Sequence, residues 1–486
     1  MQSSNQKCNA LESVFGIFLH STNTPEKVIN ALAHMGISVS VHSIHGAVHS
    51  LSDETTETLR SMGQTLLVSY AYDNFDIDFK RSVPTVETTA DTLEHLTSGT
   101  LIMLDHGVKT EDLKCSEELW IKSHLNPKVD PKSLPPTRTC KDLEELHPEL
   151  HHPSGLTRRE RFNAWQFRHD LIHNGPPHFR QFLSKLGQPE AVERIPIVKM
   201  RQAPARSMDI NQSKVSGNIS AIPDLLKQGG IEDPTERVAG KSGIKDISKY
   251  VVIFFGDLGT FERVQSLLIR RSLEETFWRR YQYVVFGMGL FHLKMACVDA
   301  IWRIFINPPN SRQDQNSLIK FTHQHRPKET GKITKGPQFR QMHEVIVHNG
   351  LALRLDCWRE LAAKRNSAWG SLEHFATAKP TFEELVEMSE HLATNFVAGA
   401  DNDLYELRGK PSTTRDGQKE NVLLMHQYFL LYEELCWGMN EGDIGRVETV
   451  FPPWVYLFKA TGKHKYASQM VTFLTDVHFV YPEGLR

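Results

Sequence analysis

The sequence has few cysteines, no long uncharged apolar run and almost no net charge. Its six cysteines are spread over 486 residues without a Cys-x-x-Cys pair. This spacing excludes a zinc ribbon, argues against a disulfide scaffold and is typical of an intracellular protein, nuclear or cytoplasmic, with reduced thiols. The most apolar region, residues 281–306, contains His292, Lys294, Asp299 and Arg303, whose burial in hydrocarbon would be costly. We therefore predict a core segment there and no membrane-spanning helix.

Other absences narrow the class of protein. The N-terminus has no basic-then-apolar signal pattern. The sequence lacks a P-loop, a dinucleotide-binding fingerprint and a Gly-x-Ser-x-Gly elbow, which argues against an NTPase, a dehydrogenase and an α/β-hydrolase. A net charge of −2 provides no global attraction to nucleic acid, so any basic surface must be local. With 40% hydrophobic and 23% charged residues the chain is expected to be globular, and its length predicts about three domain-sized units.

A buried strand predicted at residues 250–255 is the centre of the chain. These residues are apolar without interruption, and Asp257 follows them. Open α/β sheets place functional groups at the carboxyl ends of their strands. A second run, residues 65–72, has the same form and precedes Asp73. Two further strands are predicted, at residues 100–104 and 281–286.

Asp73 and Asp257 are the candidate catalytic and metal-binding residues. If their strands are neighbours in one sheet, the two carboxylates meet at its edge. Two or three such carboxylates can hold a pair of Mg²⁺ ions about 4 Å apart, which clamp the oxygens of a phosphodiester exchange. This is the arrangement of ribonuclease-H-like nucleases and transposases. The sequence identifies no third acid.

Each acid also has a purely structural interpretation. Asp257 can be the N-cap of the helix that follows it, and Asp73 can form an Asx turn with Asn74. Residues 51–150 carry 19 acidic and 10 basic side chains, so acids are common in this part of the chain. Both interpretations remain open at this stage.

Two basic segments are candidate nucleic-acid-binding surfaces. Residues 151–214 carry 11 basic and 5 acidic side chains, with arginines close to Trp165 and Phe167. Arginines interleaved with aromatic side chains can hold a phosphate backbone and stack on bases. The alternative is a solvated helix face with its aromatic side chains in the core. The candidate residues are Arg158, Arg159, Arg161, Arg168, Arg263, Arg270 and Arg271.

Two weaker patterns have simpler explanations. Residues 24–51 predict a helix, a glycine turn and a second helix, but the second helix has no Lys or Arg to neutralise phosphates, which favours a packing hairpin over a DNA-reading motif. His169 and His173 are spaced for one zinc ion. Since no clear third ligand accompanies them and His178 is only a candidate, the sequence does not predict a zinc site.

Several motifs in this order resemble a large family with an uncharacterised domain, expanded in mushroom-forming basidiomycete fungi. They are Met35-Gly-Ile-Ser-Val-Ser40, Tyr72-Asp-Asn-Phe75, Phe255-Gly-Asp-Leu-Gly-Thr260, Gly289-Leu-Phe-His-Leu-Lys-Met295, Gly442-Asp-Ile-Gly-Arg446 with Trp454, and Gly462-Lys-His-Lys-Tyr-Ala467. The multi-copy habit of that family implies descent from mobile elements. The Asp-Asn-Phe motif is also similar to one in the Kyakuja–Dileera–Zisupton transposases.

The chain departs from the family pattern at two points. Leu258 stands where the family usually has an amide side chain after the acid. Family members also commonly continue past the equivalent of Leu485-Arg486 into a segment with a Glu-His-x-Asn-like motif. If the third acid lies in that segment, the resemblance implies a truncated and inactive copy.

The expected fold is α-rich α/β, with a mixed sheet of ribonuclease-H-like type and long insertions. The predicted regions are a helical N-terminal region (1–64), two parts of the α/β core (65–125 and 250–306), a linker with a basic insertion (126–249) and a mainly helical C-terminal region (307–486). The expected function is that of a transposon-derived protein that binds DNA and Mg²⁺. The alternative is a non-catalytic helical binding or scaffold protein whose acids are helix caps.

Overall fold

The computed structural model describes residues 9–78, 93–233, 235, 245–314, 317–399 and 401–486. The chain forms two compact units. Unit 1 comprises residues 1–134, 199–287 and 482–485, and unit 2 comprises residues 135–198, 288–481 and 486. The segment 126–249, expected from the sequence to be one linker and insertion, is divided between the two units.

Helices account for most of the described elements. In chain order they are α1 (Ala10–Ser21), α2 (Glu26–His34), α3 (Val41–Gln64), α4 (Ser116–Ile121), α5 (Cys140–Glu144), α6 (Arg158–Asn174), α7 (Leu183–Leu186), α8 (Val215–Gln228), α9 (Leu258–Arg271), α10 (Leu290–Phe305), α11 (Pro309–Gln313), α12 (Leu318–His325), α13 (Pro327–Lys335), α14 (Phe339–Arg365), α15 (Leu372–Thr377), α16 (Phe382–Asn395), α17 (Leu404–Gly409), α18 (Gly417–Glu441), α19 (Ile444–Thr449), α20 (Phe451–Ala460) and α21 (His464–Thr475). Among the described residues, none of these helices has both the length and the apolar character that crossing a membrane requires.

The strands form one open, mixed sheet. They are β1 (Val68–Asp78), β2 (Leu93–Met103), β3 (Gln202–Pro204), β4 (Val252–Gly256) and β5 (Val284–Met288), in the spatial order β3-β2-β1-β4-β5. Strand β1 is antiparallel to β2, β2 is antiparallel to β3, and β1 is parallel to β4. The predicted α-rich α/β class is therefore confirmed.

Strand β1 extends further than the apolar run predicts, so Asp73 lies within the strand rather than after it. Its second half pairs only with β2, from Asp73 opposite Ser98 to Asp78 opposite Leu93. Such a two-stranded ribbon is exposed on both faces and tolerates the polar residues that made the strand appear to end. Strand β3 and helix α8 are two elements that the sequence pattern did not predict.

The core of unit 1 lies between the sheet and its helices. The Tyr70 and Phe254 rings, on β1 and β4, stack with centroids 5.3 Å apart. On β2, Gly99 has no side chain, and a Cβ there would lie 2.5 Å from the Leu225 side chain on α8. Because only glycine leaves this space, α8 can pack closely on the sheet.

Unit 2 consists of helices around two apolar clusters. Helices α10, α14, α18, α20 and α21 bury one cluster, and α6, α14 and α16 bury the other. The two longest helices, α14 and α18, contribute to both. The mainly helical C-terminal region expected from the sequence thus forms most of this unit.

Three charged side chains are buried between α6, α14 and α18. Arg354 on α14 contacts Asp170 at 2.5 Å through Nε and Glu433 at 2.9 Å through Nη1. The Arg354 side chain is only 1% exposed. Burial raises the pKa of Glu433 to about 7, against the opposing effect of Arg354. Arg354 is thus the central cation of a buried cluster.

This cluster predicts a pH-dependent stability. The unfolded chain releases the Glu433 proton near its ordinary pKa of 4.5, whereas the folded chain keeps it up to about pH 7. The folded state therefore binds more protons between these values, and stability falls as the pH rises through this window. We expect a fall of about 3 kcal/mol. Urea unfolding of the wild type from pH 5 to pH 8 measures it, and Glu433→Gln should flatten the profile. An unchanged profile in that variant would contradict the assignment.

Candidate functional site

The two candidate acids lie just beyond the ladder that joins β1 to β4. The parallel ladder pairs Tyr70 with Phe254 and Ala71 with Phe255. Each acid follows two residues after the last of these pairs, Asp73 still within β1 and Asp257 at the N-cap of α9. Because the two strands run in parallel, both acids lie at the same end of this strand pair. The sheet therefore brings together the two acids that the sequence singled out separately.

Asp257 caps helix α9. Its Oδ1 accepts a hydrogen bond from the Thr260 N–H at 2.6 Å, which satisfies one of the unpaired donors of the first helical turn. Gly259 lies beside it, where a Cβ would come within 2.7 Å of Arg263 Nη1 and 3.4 Å of Asp257 Oδ2. The carboxylate thus lies at a helix N-terminus with the Arg263 guanidinium group nearby.

A buried glutamine connects the two acids. Asp73 Oδ1 accepts hydrogen bonds from the Asn74 N–H at 2.8 Å and from Gln212 Nε2 at 3.3 Å. Gln212 Oε1 in turn accepts a hydrogen bond from Thr260 Oγ1 at 3.3 Å. Gln212 is 1% exposed and precedes α8. Sequence reasoning missed it because an isolated Gln in a Ser- and Asn-rich segment carries no signal of its own.

Tyr72 lies on the buried side of the sheet, and its pKa is affected by the charge of Asp257. Its hydroxyl donates a hydrogen bond to Asn218 Oδ1 at 2.9 Å, on α8. Burial, with a smaller contribution from the negative charge of Asp257, raises the pKa of Tyr72 well above its ordinary value. Tyr72 therefore stays protonated and acts as a fixed hydrogen-bond donor.

The donor set at this site suits one hard cation. Carboxylate and amide oxygens are the ligands that Mg²⁺ prefers, and Mg²⁺ is often held by one or two carboxylates with water completing its shell. In the part of the chain that the structure describes, no third His, Cys or carboxylate joins Asp73 and Asp257 in a ligand group. The described residues thus offer two carboxylate ligands for a single ion. They do not form the complete two-ion site that the sequence suggested.

The arginines of α6 are engaged within unit 2. Arg158 and Arg161 contact Glu190 at 3.2 and 2.6 Å, and Arg159 contacts Glu434 at 3.2 Å. Arg168 Nη1 donates a hydrogen bond to Ser389 Oγ at 2.5 Å. The neighbouring rings of Trp165 and Phe167 are buried. This placement fits the structural alternative, in which the arginines bind internal partners and the aromatic rings belong to the core.

The arginines of α9 lie in the same unit as the two acids. Helix α9 starts directly after Asp257 and carries Arg263, Arg270 and Arg271. Arg270 is exposed, Arg263 is half-buried, and Arg271 contacts Glu274 at 2.8 Å. Of the two basic segments, this one follows an acid of the candidate site.

The histidines of α6 pack against each other. The rings of His169 and His173 stack with centroids 4.1 Å apart. His173 Nδ1 lies 2.9 Å from the His169 carbonyl oxygen, and His169 Nδ1 lies 3.3 Å from Asp170 Oδ1. Among the residues described, no third ligand joins the pair.

The Gly442–Arg446 motif has a structural role in unit 2. Gly442 ends α18 in the left-handed conformation, with φ of 68°. Asp443 is fully buried and accepts hydrogen bonds from the backbone N–H groups of Val192 and Glu193, at 3.1 and 2.9 Å. Arg446 contacts Glu434 at 2.7 Å, with both side chains at most 2% exposed. The motif therefore fixes residues 192–193 against the end of α18.

Comparison with known proteins identifies a family without assigning an activity. No curated protein and no solved structure is significantly similar to the chain. Residues 139–486 match the model of a family of unknown function, DUF6589, and this segment contains the Gly-Asp-Leu-Gly-Thr, Gly-Leu-Phe-His and Gly442–Arg446 motifs. Since the match covers more than half of the chain, the protein belongs to the DUF6589 family.

Proposed function

We propose that the protein binds DNA through a ribonuclease-H-like, transposase-type core in unit 1, with Asp73 and Asp257 as ligands of a Mg²⁺ ion. One observation carries the proposal. The strands β1 and β4 pair in parallel up to two residues before each acid, and Gln212 links Asp73 to Thr260 in the first turn of α9, which supports a site at the carboxyl end of β4, where open α/β sheets hold their functional groups. The origin from a mobile element rests on the sequence resemblance alone.

The arrangement of the sheet supports the ribonuclease-H-like assignment. Three antiparallel strands form one side, and the fourth strand in sequence joins the first strand in parallel, giving the order β3-β2-β1-β4-β5. This is the arrangement expected of a ribonuclease-H-like core.

Charge complementarity supports a polyanionic partner. A Mg²⁺ ion at the two carboxylates would bind and polarise a phosphate oxygen. Arg263 and Arg270 lie on the helix that Asp257 caps. Their positive charges would attract the phosphate backbone of the same DNA strand. Such contacts hold a phosphate backbone without reading its sequence.

A second candidate function has a specific observation in its favour. The hydrogen bond of 2.6 Å from the Thr260 N–H to Asp257 is that of an ordinary N-cap. It is what a non-catalytic binding or scaffold protein would need from this residue. The two functions differ in whether the charge of Asp257 matters or only its ability to accept a hydrogen bond.

Two substitutions of Asp257 separate these functions. Asn is as good an N-cap as Asp, so Asp257→Asn keeps the cap and removes the charge. We expect Asp257→Asn and Asp73→Asn to weaken Mg²⁺ binding at least roughly tenfold, because each removes one of two anionic ligands. Isothermal titration with MgCl₂, and Mg²⁺-dependent binding and nicking of plasmid DNA, provide the measurements. Unfolding of Asp257→Asn should match that of the wild type.

Asp76→Asn is the matched control. Asp76 lies on β1, three residues beyond Asp73, and forms an exposed pair with His95, so its loss should leave Mg²⁺ and DNA binding unchanged. If Asp257→Ala lowers stability by about 1 kcal/mol while every variant binds Mg²⁺ and DNA as the wild type does, the acids are only structural. Absence of Mg²⁺ and DNA binding in the wild type would likewise contradict the proposal.

A further inference from the structure

Three potential metal ligands from distant parts of the sequence meet in unit 2. His147 follows α5, Glu448 lies on α19, and His478 lies in a single π-helical turn, Asp476–Val480, directly after α21. His147 and Glu448 are 301 residues apart, and Glu448 and His478 are 30 residues apart. No local sequence pattern therefore links the three. Within the described chain, this is the group of three side chains whose ligand atoms converge.

The geometry of the group is that of ligands around one point. Nε2 of His147 lies 2.7 Å from Glu448 Oε2, and Nε2 of His478 lies 2.6 Å from the same oxygen. All three ligand atoms lie within 4.8 Å of one another. The two imidazole rings are nearly perpendicular, at 87°, with centroids 5.7 Å apart. The side chains are 11%, 4% and 4% exposed for His147, Glu448 and His478.

Two imidazole N–H groups donating to one carboxylate oxygen would also give these distances, since such an oxygen can accept two hydrogen bonds. What points to a metal is the convergence of both Nε2 atoms on one buried oxygen from three separate elements. Both Nε2 atoms are the kind of nitrogen that binds metals, and the third atom is a carboxylate oxygen. A divalent cation would bind all three atoms at once and would compensate the buried negative charge.

We propose that His147, Glu448 and His478 bind a Zn²⁺ ion. Two histidines and one glutamate are a ligand set that zinc uses in sites with three protein ligands. In such sites the fourth position holds water, and zinc lowers the pKa of that water. The assignment is independent of the proposed function, because the acids proposed for Mg²⁺ belong to unit 1.

The surroundings of the group provide space for a further ligand. His147 and Glu448 line a cavity of about 840 Å³ within unit 2. Arg158, Arg159 and Glu434 line the same cavity. Both arginines are already paired with carboxylates, Arg158 with Glu190 and Arg159 with Glu434, so the cavity provides space beside the group rather than an additional positive charge. The site therefore resembles an open zinc site rather than one closed by four protein ligands.

The test is the metal content and zinc affinity of the full chain, purified without a histidine tag. We expect one equivalent of zinc by mass spectrometry of the metal, and its removal by a chelator should be reversed by ZnCl₂. Cobalt(II) in place of zinc should give the visible absorption of a four-coordinate site. Glu448→Gln keeps an oxygen that can accept both imidazole N–H groups but removes the anionic ligand. We expect it to weaken zinc binding on the order of 100-fold or more.

His152→Ala is the matched control, because His152 is exposed and lies five residues beyond His147. It should bind zinc as the wild type does, whereas His147→Gln and His478→Gln should lose it while keeping the circular dichroism of a folded chain. An unchanged zinc affinity in Glu448→Gln would overturn the proposal, because that variant removes the anionic ligand with the least effect on packing. A wild type that binds no zinc, or binds another divalent metal in preference to it, would also overturn it.

Discussion

Replacing Arg354 with Ala is expected to lower the free energy of unfolding of unit 2 by about 3–5 kcal/mol, the cost of breaking a buried ion pair. The substitution leaves Asp170 and Glu433 facing each other without their cation, at 5% and 10% side-chain exposure. It also leaves a cavity, since Arg354 is among the largest fully buried side chains. Urea unfolding followed by tryptophan fluorescence measures the loss, because six of the eight tryptophans lie in unit 2.

Two further variants isolate the reason for this loss. Arg359→Ala removes another arginine of α14 that is 40% exposed, and its effect should stay within about 0.5 kcal/mol. The triple variant Arg354→Met, Asp170→Asn, Glu433→Gln removes all three charges and should recover much of the lost stability, since neutral groups are cheaper to bury. If Arg354→Ala and Arg359→Ala are equally stable, the buried cluster does not stabilise the fold.

Asp443→Ala should be nearly as damaging, with an expected loss of about 3–5 kcal/mol. Its carboxylate accepts hydrogen bonds from the N–H groups of Val192, Glu193 and Arg446, at 3.1, 2.9 and 3.2 Å. The Arg446 N–H would be left buried without this partner, and the half-buried Val192 and exposed Glu193 would lose their link to α19. The Arg446 guanidinium, 3.5 Å from Asp443 Oδ2, would keep only Glu434 as a carboxylate partner among the described contacts.

Asp416→Ala is the control for this prediction. Asp416 caps α18 by accepting the Lys419 N–H at 3.0 Å, but it is exposed. Its loss should cost about 1 kcal/mol, the ordinary value of an N-cap. The same urea titration serves both variants. Equal losses for Asp443→Ala and Asp416→Ala would mean that capping alone explains the role of Asp443.

These predictions change the meaning of the family motif at residues 442–446. In the structure, Asp443 accepts hydrogen bonds from backbone N–H groups. Arg446 binds the Glu190 carbonyl oxygen and the Glu434 carboxylate. Activity lost on mutating this motif would therefore report unfolding of unit 2 unless stability is measured in the same variant.

The sequence predicted the elements whose signal is local. An uninterrupted apolar run was enough to place β4, because one face of this strand is buried and the other is half-buried, and both suit apolar residues. The acid at its end was likewise predicted, both as a site residue and as an N-cap. The helical N-terminal region followed from the spacing of apolar residues and from turn signals such as Gly36, which adopts a positive φ of 72°.

The sequence was least informative where burial depends on distant partners. Strand β3 is three residues long and exists because it pairs with β2, about a hundred residues earlier in the chain. Helix α8 contains Pro223 and lies in a segment that composition predicted to be a loop. Its packing on the sheet outweighs the weak helix propensity of that segment.

By itself, then, the sequence determined the α/β class and the buried strand that ends just before Asp257, because each depends on residues close together in the chain. Only the tertiary structure decided which groups meet. It linked Asp73 to the first turn of α9 through Gln212, gave Arg159 and Arg161 carboxylate partners and brought Glu448 to two histidines. The physical reason is that a carboxylate or a guanidinium group acquires its role from the charge and burial around it, which long-range packing creates.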